Sequence, residues 1–252
     1  MDLETAEISL IGDRADNQDR AQILVGDAGM FVMVADGMGG HAHGALAAET
    51  AIAALDASFR QAQSNEADAP DFLPAAIAAA HREVFALGDG MAADTRPGTI
   101  VVCALASGKA LHWAHVGDSR AYHLRNGKLL TRTRDHSVIE TLIESGKITR
   151  EQAATHPDRH LVEYCLGVTE ETPPIEVGKA RRLAPGDIVL LCSDGFWDQL
   201  EETHMIETLS RSDKLQELLN QLAEEAVSNA QPHSDNVTAL ALRALSDKEA
   251  SA

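Results

Sequence analysis

Cysteine is scarce in this chain of 252 residues: Cys103, Cys165 and Cys192 lie far apart, in apolar or helical surroundings. That spacing excludes a disulfide framework or a cysteine-held zinc site, and it fits small buried hydrophobes in a reducing compartment. Basic residues are short too, with 21 Lys and Arg against 39 Asp and Glu, a formal charge of -18. A chain this negative lacks the positive surface that nucleic acid or an anionic membrane requires. No apolar run approaches the roughly 20 residues that span a bilayer. The N-terminal MDLETAEISL has neither the basic start nor the apolar centre of a signal peptide. Internal repeats and low-complexity linkers are also missing. The expectation is one cytoplasmic domain over residues 1–252, long enough to bury a sizeable core.

What is present is periodic. Ile52, Leu55 and Phe59 fall on one face of a predicted helix, and Leu73, Ile77, Val84 and Leu87 on one face of a second. The polar stretch QAQSNEADAP (61–70) between them reads as a loop closed by a proline at a helix start. A third helix carries Leu215, Leu218, Leu219 and Leu222 on one stripe. Strand signals come in pairs. TIVVCALA and ALHWAHV are joined by Ser107, Gly108 and Lys109, while RAYHLR and KLLT are joined by Asn126-Gly127, a strong hairpin signal. DIVLLCS (187–193) and NVTALAL (236–242) are further strands. Hairpins imply antiparallel sheets, and helices placed before and after the strand block imply an α+β domain with helices outside packed sheets. Residues 134–172, with short polar helices and few strand signals, read as a surface insertion able to cover a site.

The stretch FVMVADGMGGH (31–41) ends an apolar run in Asp36 and then turns through three glycines, which lets backbone come close to a phosphate or an ion. Asp118 in LHWAHVGDSR, Asp194 in IVLLCSDG and Asp235 in HSDNVTALAL stand in the same kind of place, at an apolar strand's end or start. Aspartates commonly cap turns, and one alone would mean no more than that. Four on one rim would repel one another and take up protons unless a cation sat between them. An all-oxygen cluster favours Mg²⁺ or Mn²⁺ over zinc. Among the histidines, His112 and His115 face opposite ways along a strand and cannot chelate together, while His41 and His43 are two zinc-type ligands at most.

Six fragments, RADNQD, VADGMGGH, VGDSRAY, TRDHS, LCSDGFWD and SDNVTAL, occur in this order from about Ile8 to Leu242. Together they resemble the metal-dependent protein phosphatases, the type 2C serine/threonine family, in its compact bacterial form. The resemblance implies an α-β-β-α sandwich of two antiparallel sheets flanked by helices, with a mobile flap at about 134–172. It implies two Mn²⁺ or Mg²⁺ ions, or three, in a cleft at one sheet edge, with a hydroxide between two of them attacking the phosphorus directly. Carried over by position, Asp36 bridges both ions and the Gly37 carbonyl ligates one. Asp194 and Asp235 complete the first ion's shell, and Asp118 joins Asp194 at a third-metal site. Arg14 grips the substrate phosphate, with Asp19, Gln18 and Asn236 in the outer shell.

This chain departs from the pattern at several points. Met38 stands where animal relatives carry a histidine proposed as leaving-group acid, leaving that acid unassigned between metal-bound water and His41. Gln18 replaces a frequent glutamate and removes one negative charge near the second metal. Ile100 replaces a frequent threonine, a packing change, and Ala45 a frequent glutamate, a surface change. The four aspartates are intact, which favours an enzyme over a pseudophosphatase that only binds phosphorylated proteins or a kinase. A partner-switch regulatory phosphatase is the same-family alternative. Phosphorylated proteins, and a kinase with its targets, are the implied partners.

Overall fold

A computed structural model describes residues 2–38, 42–65, 69–92, 95–153 and 155–246. Turn chemistry sets its hairpins. Asn126 (φ 52°) and Gly127 (φ 70°) are both left-handed, as a two-residue turn matched to strand twist requires, and they join β6 (Arg120–Arg125) to β7 (Lys128–Arg132). Gly108 (φ 59°) opens the turn from β4 (Gly98–Ser107) to β5 (Ala110–Val116). These hairpins fall in different sheets. The first sheet has the order β1-β11-β10-β6-β7, with β1 Leu3–Leu10, β10 Ile188–Cys192 and β11 Val237–Ala244. The second runs β2-β3-β4-β5-β8, with β2 Asp19–Gly26, β3 Gly29–Met38 and β8 Glu176–Val177; β9 (Arg181–Arg182) also pairs with β5. Every pairing is antiparallel.

Strand alternation sorts the side chains into layers. In β3, Val32 and Val34 enter a core with Val102, Trp113, Val189, Leu191 and Leu240, which lies between the sheets. Phe31, Met33 and Ala35 face the other way, against α1 (Ala42–Asn65) and α2 (Ala69–Leu87). Ile52, Leu55, Phe59, Leu73, Ile77 and Val84 meet them there, so the predicted helix faces are the buried ones except at Leu87, which is half-buried. On the far side, Ile188, Leu190 and Cys192 of β10 pack under α5 (Asp194–Trp197), α6 (Glu202–Leu209) and α7 (Leu215–Ala230), whose Leu215, Leu218, Leu219 and Leu222 are all buried. The result is the α-β-β-α sandwich that the resemblance implied.

Two sequence readings change in detail. Residues 61–65 belong to α1 rather than to a loop. Strands β1, β2, β8 and β9 were not singled out, being short or mostly half-exposed. Segment 134–172 does carry short polar helices, α3 (Val138–Glu144) and α4 (Arg150–Ala153); an isolated bridge Ser137–Val162 closes it on itself and another, Thr99–Leu166, ties it to β4. No helix among the described residues is long and apolar enough to cross a membrane.

Candidate active site

Antiparallel register brings the four aspartates to one edge. Asp36 lies two residues from the end of β3, with Asp19 as its cross-strand partner on β2. Cys192, the last residue of β10, pairs with Arg120 on one side and Ala239 on the other, so Asp194 lies next to both the β5–β6 turn holding Asp118 and the approach to β11 holding Asp235. Asp36, Asp118, Asp194 and Asp235 line one cavity of about 320 Å³, and Arg14, Gln18, Gly37 and Asn236 line it with them. Asp19 sits behind, 3% exposed, and accepts a hydrogen bond from Ser193 Oγ at 2.8 Å.

Gathering these acids changes their chemistry. Burial raises the Asp36 carboxyl well above the ordinary range, and the charges of Asp19, Asp194, Asp118 and Asp235 raise it further. Burial, then Asp194 and Asp135, does the same to Asp118. Asp194 is pushed up to about 6 by burial and then Asp235. Asp19 is pushed up to about 7 by burial, against the hydrogen bonds from Ser193 and Thr238. Such a group ionises readily only if positive charge is supplied. Asp118 Oδ1 is buried without a hydrogen-bond partner, and Arg14 Nη2 is spent on Asp235 Oδ2 at 2.6 Å. An orphaned carboxylate oxygen in an all-oxygen donor set fits a hard divalent cation, Mg²⁺ or Mn²⁺, better than zinc.

The scaffold around the acids is specific. Asn236 Oδ1 accepts from Gln18 N at 2.8 Å, and its Nδ2 donates to Ile11 O at 2.9 Å and Asp16 O at 3.0 Å, stapling the loop that carries Arg14 to the start of β11. Thr99 Oγ1 donates to the Asp36 carbonyl at 2.8 Å. Trp197 Nε1 donates to the Asp118 carbonyl at 3.1 Å. The bare backbone at Gly37 has a structural cause: a Cβ there would lie 2.1 Å from Gly44 O, so α1 abuts the strand end through main chain alone. Ile100 packs its side chain against Gly117 and also lines the cavity, so its place is not one of packing alone. From segment 134–172, His160 and Val162 line the cavity. Gly39, Gly40 and His41 lie outside the described residues, and with them the candidate acid and the His41–His43 pair.

Ser193, Thr99, Trp197 and His160 escaped the sequence reading. Ser193 and Trp197 sit inside the quoted LCSDGFWD, but hydrogen bonding to a neighbour's carboxylate or carbonyl leaves no mark in spacing. His160 gave no signal at all.

The family model for protein phosphatase 2C matches residues 9–238. The chain belongs to that family. Among its relatives are the serine/threonine protein phosphatase PstP of Mycobacterium tuberculosis, 35% identical over 225 residues, and the serine/threonine phosphatase stp of Listeria monocytogenes, 31% identical over 231. The chain spans 41% of the length of the first and 90% of the second, with 89% and 90% of its own length aligned. Its structure is similar to the crystallised PstP catalytic domain in complex with two manganese ions, with TM-score 0.79, 33% identity, and coverage of 97% of this chain and 99% of that one. The type 2C fold therefore accounts for both sheets.

Proposed function

We propose that this chain is a Mn²⁺- or Mg²⁺-dependent serine/threonine protein phosphatase that hydrolyses phosphoserine and phosphothreonine on proteins. One observation carries the reading: Asp36, Asp118, Asp194 and Asp235, from four separate strand ends, share one cavity in which burial and mutual repulsion call for cations. Bound divalent ions supply Lewis-acid charge against the phosphoryl oxygens and a nucleophile from water near neutral pH.

The chain's own residues do the rest. Asp36, which feels the charge of all the other acids, would hold the ions together with the Gly37 carbonyl, Asp194 and Asp235, and Asp118 with Asp194 would hold an additional one. Asp19, held by Ser193, and Gln18 and Asn236, held in the loop staple, fix the surroundings. Arg14 now leans on Asp235 with its side chain 59% exposed. If Asp235 were taken up as a metal ligand, the guanidinium fork would be free to orient a phosphate through two parallel hydrogen bonds. Residues 134–172 act as the flap of a single catalytic domain, with His160 and Val162 at the cavity. Substrates are phosphorylated proteins, with a serine/threonine kinase and its targets as the opposing pair. Cys103, Cys165 and Cys192 are free, which suits a reducing cytoplasm.

Hydrolysis of p-nitrophenyl phosphate and of a phosphothreonine peptide, with and without manganese, tests this. Turnover is expected only with the metal. Binding of phosphopeptide without metal-dependent turnover would make the chain a binding module instead. Arg14→Ala is expected to raise KM by roughly 10–100-fold, the worth of a charge-assisted hydrogen bond, while kcat changes far less. Unchanged KM would remove Arg14 from the phosphate site.

A further inference from the structure

Away from the aspartate cluster, the described residues hold a second convergence of ligand-type groups. His115 on β5, His136 at the base of segment 134–172 and Glu176 on β8 each place a nitrogen or carboxylate oxygen within 4.8 Å of the other two. The three come from different parts of the chain, and His115 and Glu176 are cross-strand partners. His112, three residues earlier on the same strand, takes no part in the group.

The ring nitrogens of His115 carry the case. Nε2 lies 2.7 Å from the Arg134 carbonyl, an acceptor only, so the proton is on Nε2. Nδ1 therefore presents a bare lone pair; it is buried and has no hydrogen-bond partner, in a residue 1% exposed. A histidine that donates one N–H to a backbone carbonyl and leaves the other nitrogen unprotonated is set up as a metal ligand. An orphaned acceptor in the interior otherwise has a cost and no return.

His136 Nε2 lies 3.7 Å from Glu176 Oε2, and the His115 and His136 rings stand 4.7 Å apart between centroids. Glu176 is 42% exposed in its side chain and gives the interior an opening to solvent. We propose that His115, His136 and Glu176 form a binding site for one borderline-soft divalent ion of the zinc type, separate from the aspartate cavity. Two imidazoles and one carboxylate select Zn²⁺, or Co²⁺ in its place, over Mg²⁺ and Mn²⁺, which prefer oxygen.

Binding has a definite cost at His136. Its Nδ1 accepts from Gly117 N at 3.3 Å, which puts the proton on Nε2. For Nε2 to ligate, that proton moves to Nδ1; the ring stays neutral and the Gly117 contact, already longer than a typical N–H···O bond, is lost. Gly117 directly precedes Asp118, so loading the zinc-type site alters the backbone next to the aspartate cavity.

The site does not rest on the phosphatase reading. Its test uses the whole chain in excess Mg²⁺, which occupies oxygen sites, with Co²⁺ as the probe. One equivalent of Co²⁺ is expected to bind with visible bands of a nitrogen-ligated, low-coordinate ion, displaced by Zn²⁺ and retained against Mg²⁺. Glu176→Gln and His115→Gln are expected to weaken that binding at least about 100-fold, since even outer-shell losses at metal sites cost about 10–100-fold. Asp118→Asn is expected to keep the bands. If His115→Gln fails to fold, the more exposed Glu176→Gln decides. Zn²⁺ is also expected to shift the Gly117 amide in a nitrogen-correlated NMR spectrum. Absent bands, or bands unchanged in Glu176→Gln, would leave the two rings as a packing pair and overturn the site. Loss of phosphatase activity in every assay would leave the cobalt result standing.

Discussion

At the scale of single residues, two aspartates with opposite partners show what the side chains are for. Asp36 faces other acids; Asp187, fully buried, faces Arg125 Nε and Nη2 at 2.6 and 2.7 Å and His123 Nε2 at 2.8 Å. Asp36→Asn is expected to cut metal-dependent turnover by about 10³-fold or more, since bound cations contribute several kcal/mol and each 1.4 kcal/mol is tenfold. The same change is expected to leave the metal-free protein at least as stable at pH 8, because an amide removes a carboxyl that burial and four neighbouring charges disfavour. Melting in chelator checks it, and a large loss would make Asp36 structural. For Asp187, burial raises the carboxyl, but hydrogen bonds from Arg125, Ala184 N and His123 outweigh it and the net direction is down. Its stabilisation is therefore present above the ordinary carboxylate value, 3.8, and lost as pH falls below it. Asp187→Asn is expected to cost about 3 kcal/mol at pH 7, the low end for a broken buried pair because Arg125 is 36% exposed. Denaturant unfolding at pH 7 and pH 3 should show the gap closing on the acid side. Asp36 was legible because an apolar run ending in Asp-Gly is unusual; Asp187, next to a Pro-Gly turn, looked like any turn aspartate.

At the scale of elements, legibility followed local chemistry. Asn126-Gly127 could be read because only residues tolerant of positive φ build that turn, and α7 because its leucines keep helical spacing. Strands β8 and β9 have two residues each and are defined by pairing with β5, a long-range fact without a local pattern. The junction of β3 and α1 was half legible. The glycines announced a close approach, but the neighbour at Gly37 is the Gly44 carbonyl. Gly37→Ala would put a Cβ 2.1 Å from Gly44 O and 2.9 Å from Gln18 O, both main-chain atoms that no rotamer change can clear. The expected cost is about 1–3 kcal/mol, as for an overpacked core, with manganese affinity falling as the Asp36 end of β3 shifts. Urea unfolding and metal titration of the variant check both. Unaltered stability would mean that α1 slides freely on the sheet.

At the scale of the whole molecule, the middle core joins the two sheets, since Val32 and Val34 of one share it with Val189, Leu191 and Leu240 of the other. The aspartates straddle the same divide: Asp36 is in the second sheet, whereas Asp194 and Asp235 flank strands of the first. A cation held by both groups would therefore tie the sheets together. In a chain of formal charge -18 it would also relieve self-repulsion where acids are densest. The six motifs gave these residues away because each stands at a strand end, while the cross-sheet placement needed the register that only the fold supplies. Manganese at about 100 times its dissociation constant adds about 2.7 kcal/mol per site. For a domain of this size that corresponds to a rise of about 5–10 °C in Tm. Calorimetry should show one transition that moves up with manganese in the unmodified chain and moves much less in Asp194→Asn. Two separated transitions would mean that the sheets unfold independently, and an unmoved midpoint that the aspartates hold no ion between them.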